Sequence, residues 1–110
     1  IPIWLGGFSE VAFRRAGELG DGFIYAGDHD HCLEGRARVE HHLKENNRES
    51  VDFGHELITL RDRSPRDAAE TVKKWRDSGG THASIVTMKC GLNGLQEHLD
   101  FIREAKELID

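Results

Sequence analysis

Four times along the chain a short apolar run is followed by a polar corner and then by a segment whose apolar residues recur at helical spacing. The runs at residues 1–5, 22–26, 55–61 and 81–88 read as strands. The first helix opens at Ser9 and carries Ala12, Phe13, Ala16 and Leu19 on one face. The second spans residues 33–46 with a sparse stripe of Leu33, Ala37 and Leu43, after a polar loop at residues 27–32. The third starts at Ser64-Pro65-Arg66-Asp67, an N-cap followed by proline at the first helical position, and ends at Gly79-Gly80 with Ala69, Val72 and Trp75 facing a core. The last covers residues 92–109, with Leu95, Leu99, Ile102 and Leu108 on one side. Strands separated by helices imply an α/β fold of four βα units, with parallel pairing through right-handed crossovers.

The composition bounds what such a chain does. Of its 110 residues, 37% are hydrophobic and 32% charged, and the apolar positions are periodic, so the sequence is that of a globular domain. A formal net charge of -5 argues against nucleic acid, which is bound through clustered Lys and Arg. No apolar stretch has the length of a membrane span and nothing resembles a signal peptide, so a cytoplasmic protein is expected. Cys32 and Cys90 stand far apart and outside any CxxC pattern, which makes free thiols the expectation. The sequence opens at Ile1, without methionine and inside an apolar run, and is expected to be a piece of a longer protein.

The first corner, Gly6-Gly7-Phe8-Ser9, joins the first strand to the first helix. Glycines there permit backbone conformations closed to other residues, and Ser9 caps the unpaired N–H groups of the first helical turn. Such a corner is either an ordinary βα turn or a seat for an anion, typically a cofactor phosphate. The dinucleotide pattern is incomplete. Asp28 follows the second strand at the distance of a ribose-holding acid, but the three spaced glycines are not there.

The stretch Pro-Ile-Trp-Leu-Gly-Gly-Phe-Ser-Glu, then Ala-Phe-Arg-Arg-Ala-Gly-Glu-Leu-Gly-Asp-Gly-Phe, resembles the late-barrel segment of the luciferase-like flavin monooxygenases, most closely the branch that uses the deazaflavin coenzyme F-420. The matching positions are Gly6, Gly7 and Ser9, then Ala16, Gly20, Asp21 and Gly22. Gly17 departs from the alanine usual there, and Ala12 stands where some flavin-binding members carry a phosphate-contacting threonine. The resemblance implies the C-terminal half of a (β/α)8 barrel over residues 1–110, since a whole barrel needs about 250 residues. It implies an oxidoreductase or monooxygenase acting on a small organic substrate, with FMN or coenzyme F-420 as cofactor and Gly6, Gly7, Phe8 and Ser9 near the cofactor phosphate. Four parallel strands alone leave two edges and one face open, so the missing N-terminal half, or a second copy, is the expected partner, and a homo-oligomer is expected. The competing classes are a non-catalytic half-barrel and a barrel enzyme of other chemistry with a convergent phosphate corner.

Barrel active sites lie at the C-terminal ends of the strands, which retains residues 6–9, 28–32, 61–63 and 89–90 and assigns His82 to the opposite, stabilising face. Arg61 and Lys89 are candidates for an anionic substrate, or else rim residues in water. Asp62 is the natural surface partner of Arg61. Asp28-His29-Asp30-His31-Cys32 holds metal-ligand residue types, but on a loop nothing fixes their spacing, and no metal is expected. His41, His42, His55 and His98 read as surface positions. No catalytic triad or carboxylate pair emerges, leaving the catalytic residues unassigned; a flavin-type enzyme requires none, because the cofactor supplies the redox chemistry.

Overall fold

The computed structural model describes residues 1–60 and 62–110. The strands are β1 (Trp4–Gly6), β2 (Gly22–Ala26), β3 (Gly54–Thr59) and β4 (His82–Ile85), and the helices α1 (Glu10–Leu19), α2 (His29–Glu45), α3 (Pro65–Asp77) and α4 (Gly94–Ile109). All neighbouring strands pair in parallel, in the order β1-β2-β3-β4. The α/β class and the parallel sheet are therefore as the alternating pattern indicates. Among the described residues, no helix is long and apolar enough to cross a membrane.

Alternation along the strands separates two faces. Phe23, Tyr25, His55, Leu57 and Thr59 are buried and, with Phe13, Ala16, Cys32, Val39, Leu43 and Trp75 from the helices, make the core. Ile24, Glu56 and Ile58 point the other way and are only half-buried. On that open face the Trp4 indole lies across the sheet, where a side chain at Gly22 or Gly54 would collide with its ring. Its edge meets His82 at 5.1 Å between ring centroids. Register explains the fit, since Trp4 pairs with Gly22 and Gly22 with Gly54. Thus His82, at the N-terminal end of β4, belongs to a structural contact.

The N-terminal ends of the strands are tied by polar contacts. The Asp21 carboxylate accepts from the Ile3 N–H at 2.7 Å, and the Asp21 N–H donates to the Ile3 carbonyl at 2.7 Å. The Arg48 guanidinium donates to the carbonyls of Ala16, Gly17 and Gly20, satisfying the acceptors at the end of α1. Gly17 itself sits where α1 crosses α2. A Cβ there would overlap that of His42 and stand 2.7 Å from the His42 carbonyl carbon. Gly17→Ala should therefore destabilise the chain by about 1–3 kcal/mol, against the ~1 kcal/mol that alanine gains as a helix former. Thermal denaturation checks this; an unchanged or raised midpoint contradicts the close crossing.

Several elements differ from the sequence reading. Residues 28–32 are not a loop: Asp28 caps α2, its Oδ1 accepting from the His31 N–H at 2.8 Å, and Cys32 is fully buried inside the helix. The buried stripe of α2 is Cys32, Gly35, Val39, His42 and Leu43, while Ala37 is exposed. In α4 the buried residues are Phe101 and Ala105, and Leu95, Leu99 and Ile102 face outward. Leu19, expected on the inner side of α1, is exposed as well. Finally, β4 ends at Ile85 rather than Met88, because the Val86 N–H turns to the Thr59 hydroxyl at 3.2 Å instead of continuing the ladder.

Candidate functional site

A parallel sheet brings the C-terminal ends of all four strands to one edge, and the first corner stands at the end of β1. Gly7 has φ +129°, which side chains rarely adopt, and a Cβ on it would press to 3.2 Å from that of Ala12. Ser9 is extended, and its hydroxyl accepts from the Ala12 N–H at 3.1 Å while its carbonyl accepts from Phe13 at 3.1 Å. Used this way as an acceptor, the Ser9 hydroxyl keeps its proton for a further partner. The N–H groups of Glu10 and Val11 have no intrahelical acceptor by position, and residues 6–10 are exposed. Donors and helix dipole there favour a negatively charged group.

Glu10 would spoil the corner if its carboxylate folded back over these donors. It is turned away. Its Oε1 accepts from His42 Nε2 at 2.7 Å and its Oε2 from the Arg38 guanidinium. The His42 hydrogen bond first, and Arg38 with it, hold the Glu10 carboxyl below the usual range. This trio escapes the sequence reading, although Arg38 and His42 lie four apart and so on one helix face. Phe8, next in the corner, stacks on His31 with centroids 4.3 Å apart. Beside that stack a cleft of about 440 Å³ opens between α1 and α2, lined by Phe8, Phe13, His31, Glu34, Gly35 and Arg38.

Lys89 lies elsewhere along the same edge. Lys89 is exposed in the turn after β4, with φ +61°. Two strands separate β4 from β1, so Lys89 is about 14 Å or more from the corner at ordinary strand spacing. The sheet does not bring the two together. Arg61 lies outside the described residues. Asp62 is half-buried, and burial foremost raises its carboxyl above the usual range, against a hydrogen bond from Thr71. The Cys90 thiol reaches the Asp62 carbonyl at 3.6 Å and so links the loops after β3 and β4. Both cysteines are free, and burial pushes the Cys32 thiol up to about 11. Among the described residues, no group of three or more His, Cys, Asp or Glu is arranged to hold a metal ion.

The histidines correct the sequence reading most. His41 is exposed and His98 half-buried, with Nδ1 2.7 Å from the Thr87 hydroxyl. His42 is buried against α1, and His55 is only 2% exposed. His55 Nδ1 is 2.8 Å from the Tyr25 hydroxyl, and its Nε2 lies 3.8 Å from Glu40 with no hydrogen bond among the described residues. A polar residue type concealed a core position.

No family model and no curated protein matches this chain.

Proposed function

We propose that this chain is the C-terminal half of a luciferase-like (β/α)8 barrel and that Gly6, Gly7, Phe8 and Ser9 seat the phosphate of FMN or coenzyme F-420. The observation that carries the reading is the corner itself: exposed N–H groups and a free hydroxyl proton at the C-terminal end of a parallel strand, with the neighbouring carboxylate drawn away. The uncovered sheet face and the unpaired edges of β1 and β4 support a partner half, from the same polypeptide or a second copy. When bound, the flavin or deazaflavin supplies hydride transfer or oxygen activation on a small organic substrate; the protein supplies binding, orientation and exclusion of water. The assembled protein is read as a cytoplasmic, homo-oligomeric enzyme.

Residues fit the group on their own geometry. Gly7 takes a backbone conformation that admits close approach, and Ser9 adds one donor beside the helix terminus. Lys89, on another loop of the same edge, and Arg61 remain candidates for an anionic substrate rather than for the cofactor phosphate.

Titration of the complete barrel with oxidised and reduced FMN and with coenzyme F-420 tests the reading. Binding of one of them at micromolar concentration is the expected result. Failure of all three removes the flavin reading and favours a non-catalytic half-barrel or another barrel chemistry.

A further inference from the structure

Glu56 stands in the middle of the open sheet face. Its register partners across the sheet are Ile24 of β2 and His82 of β4, and Gly6 of β1 completes the row. Trp4, Ile24 and Ile58 give the rest of that face an apolar character. The Ser84 hydroxyl donates to Glu56 Oε1 from the neighbouring strand. An ionised carboxylate accepts through two oxygens and about four lone pairs, so one hydroxyl leaves most of that capacity unused. Among the described residues, the ion pairs of Lys and Arg are all made with other acids. The His82 ring meets Trp4, and its Nδ1 lies 2.8 Å from the Thr81 hydroxyl.

On the open sheet this half-buried carboxylate still reaches water. A closed eight-stranded barrel removes that water, because its interior is just wide enough for side chains to fill, in layers of four drawn from alternate strands. In a barrel closed by a second copy around a two-fold axis, β3 of one copy stands opposite β3 of the other, and both Glu56 carboxylates enter one layer. Two like charges there repel, and each is desolvated without a counter-charge. A half of different sequence escapes the conflict by bringing a cation to the same layer.

We propose that the open face of the sheet is covered by a half-barrel of different sequence that sets a Lys or Arg side chain against Glu56, and that Glu56 turns away a second copy of this chain. Such a partner presupposes the half-barrel proposed above and, of the two sources named there, keeps the one whose sequence differs. Selection is by charge rather than by apolar area, because Trp4, Ile24 and Ile58 offer the same surface to either partner. Homo-oligomers of the complete barrel then assemble through surfaces other than this face.

Urea unfolding of the complete barrel tests the pairing. Glu56→Gln keeps the shape and an acceptor for Ser84 and removes the charge. It should raise the unfolding constant at least about tenfold, since the partner's cation is left in the core without its acid. Glu56→Lys should raise it further, by setting two cations together. In the 110-residue chain alone, where the face is open to water, Glu56→Gln should leave the unfolding constant within about threefold of the parent's. An unfolding constant unchanged or lowered by Glu56→Gln in the complete barrel overturns the pairing. Sedimentation of the 110-residue chain at micromolar concentration should find no dimer that shields the Trp4 indole from a soluble quencher. Such a dimer overturns the rejection of a second copy. Flavin titration of the same complete barrel separates the two claims. Flavin binding without the loss of stability overturns the cation at Glu56 alone, whereas the loss of stability without flavin binding upholds the cation and removes the flavin reading.

Discussion

Trp75→Ala should lower the stability of the chain by about 3–5 kcal/mol, the usual cost of truncating a buried tryptophan. Trp75 is 1% exposed and stands where α3 meets β2, β3 and α2. Its ring packs edge-on against Tyr25 at 5.5 Å, the Arg36 guanidinium lies over it at 4.9 Å, and its Nε1–H donates to the His55 carbonyl at 3.2 Å. Gly80 continues the same contact, since any side chain there would overlap the indole. Truncation therefore opens a cavity, removes one of the donors to the His55 carbonyl, which keeps those of Thr81, and frees Arg36 from one of its supports. Small domains hold about 5–15 kcal/mol in all, so the variant should sit near the edge of folding. Urea unfolding measures it; a loss below about 1 kcal/mol would mean that the α3 side of the core is packed differently.

Acid should also weaken the fold, by up to roughly 3 kcal/mol between pH 6.5 and pH 4, through His55. Burial foremost, and Arg36 with it, hold the His55 imidazole down to about 4. Below about pH 6.5 the unfolded chain takes up a proton that the folded chain refuses, and unfolding becomes easier until the folded imidazole also titrates near pH 4. His55→Gln, which keeps an amide beside the Tyr25 hydroxyl and cannot titrate, should flatten this part of the stability profile. An unchanged acid slope in that variant would assign the effect elsewhere.

His42 and His55, both buried, show where sequence reasoning reaches its limit. β2 is legible because its apolar residues all lie between glycines, and α3 because Ser64-Pro65 announces a helix start. The sequence reading starts α2 four residues late because the buried face of that helix is made of Cys32, Gly35 and His42, types that do not register as an apolar stripe. The same cause hides His55, whose Tyr25 partner comes from another strand 30 residues away. In α4 the reverse happens. Its apolar residues exceed what one buried face needs, and the packed residues turn out to be Phe101 and Ala105. Leu95, Leu99 and Ile102 are exposed, while α4 packs on α3. The first corner is legible as a corner, but not the withdrawal of Glu10 by Arg38 and His42, which depends on how α1 and α2 meet.

The most direct measurement of the proposed function is a comparison of FMN with riboflavin, which lacks the phosphate, on the complete barrel with Ser9 intact and on the same barrel carrying Ser9→Ala. The substitution should cost about 1 kcal/mol of stability through the lost cap. If the corner seats the phosphate, FMN should bind more tightly than riboflavin. Ser9→Ala should then weaken FMN binding by roughly 1–3 kcal/mol, because bonds to a charged acceptor are the stronger kind, and leave riboflavin unaffected. Gly7→Val should act more severely by blocking close approach. Equal binding of FMN and riboflavin, or undiminished FMN binding in the folded Ser9→Ala protein, would contradict the account and leave the corner as a turn and a cap.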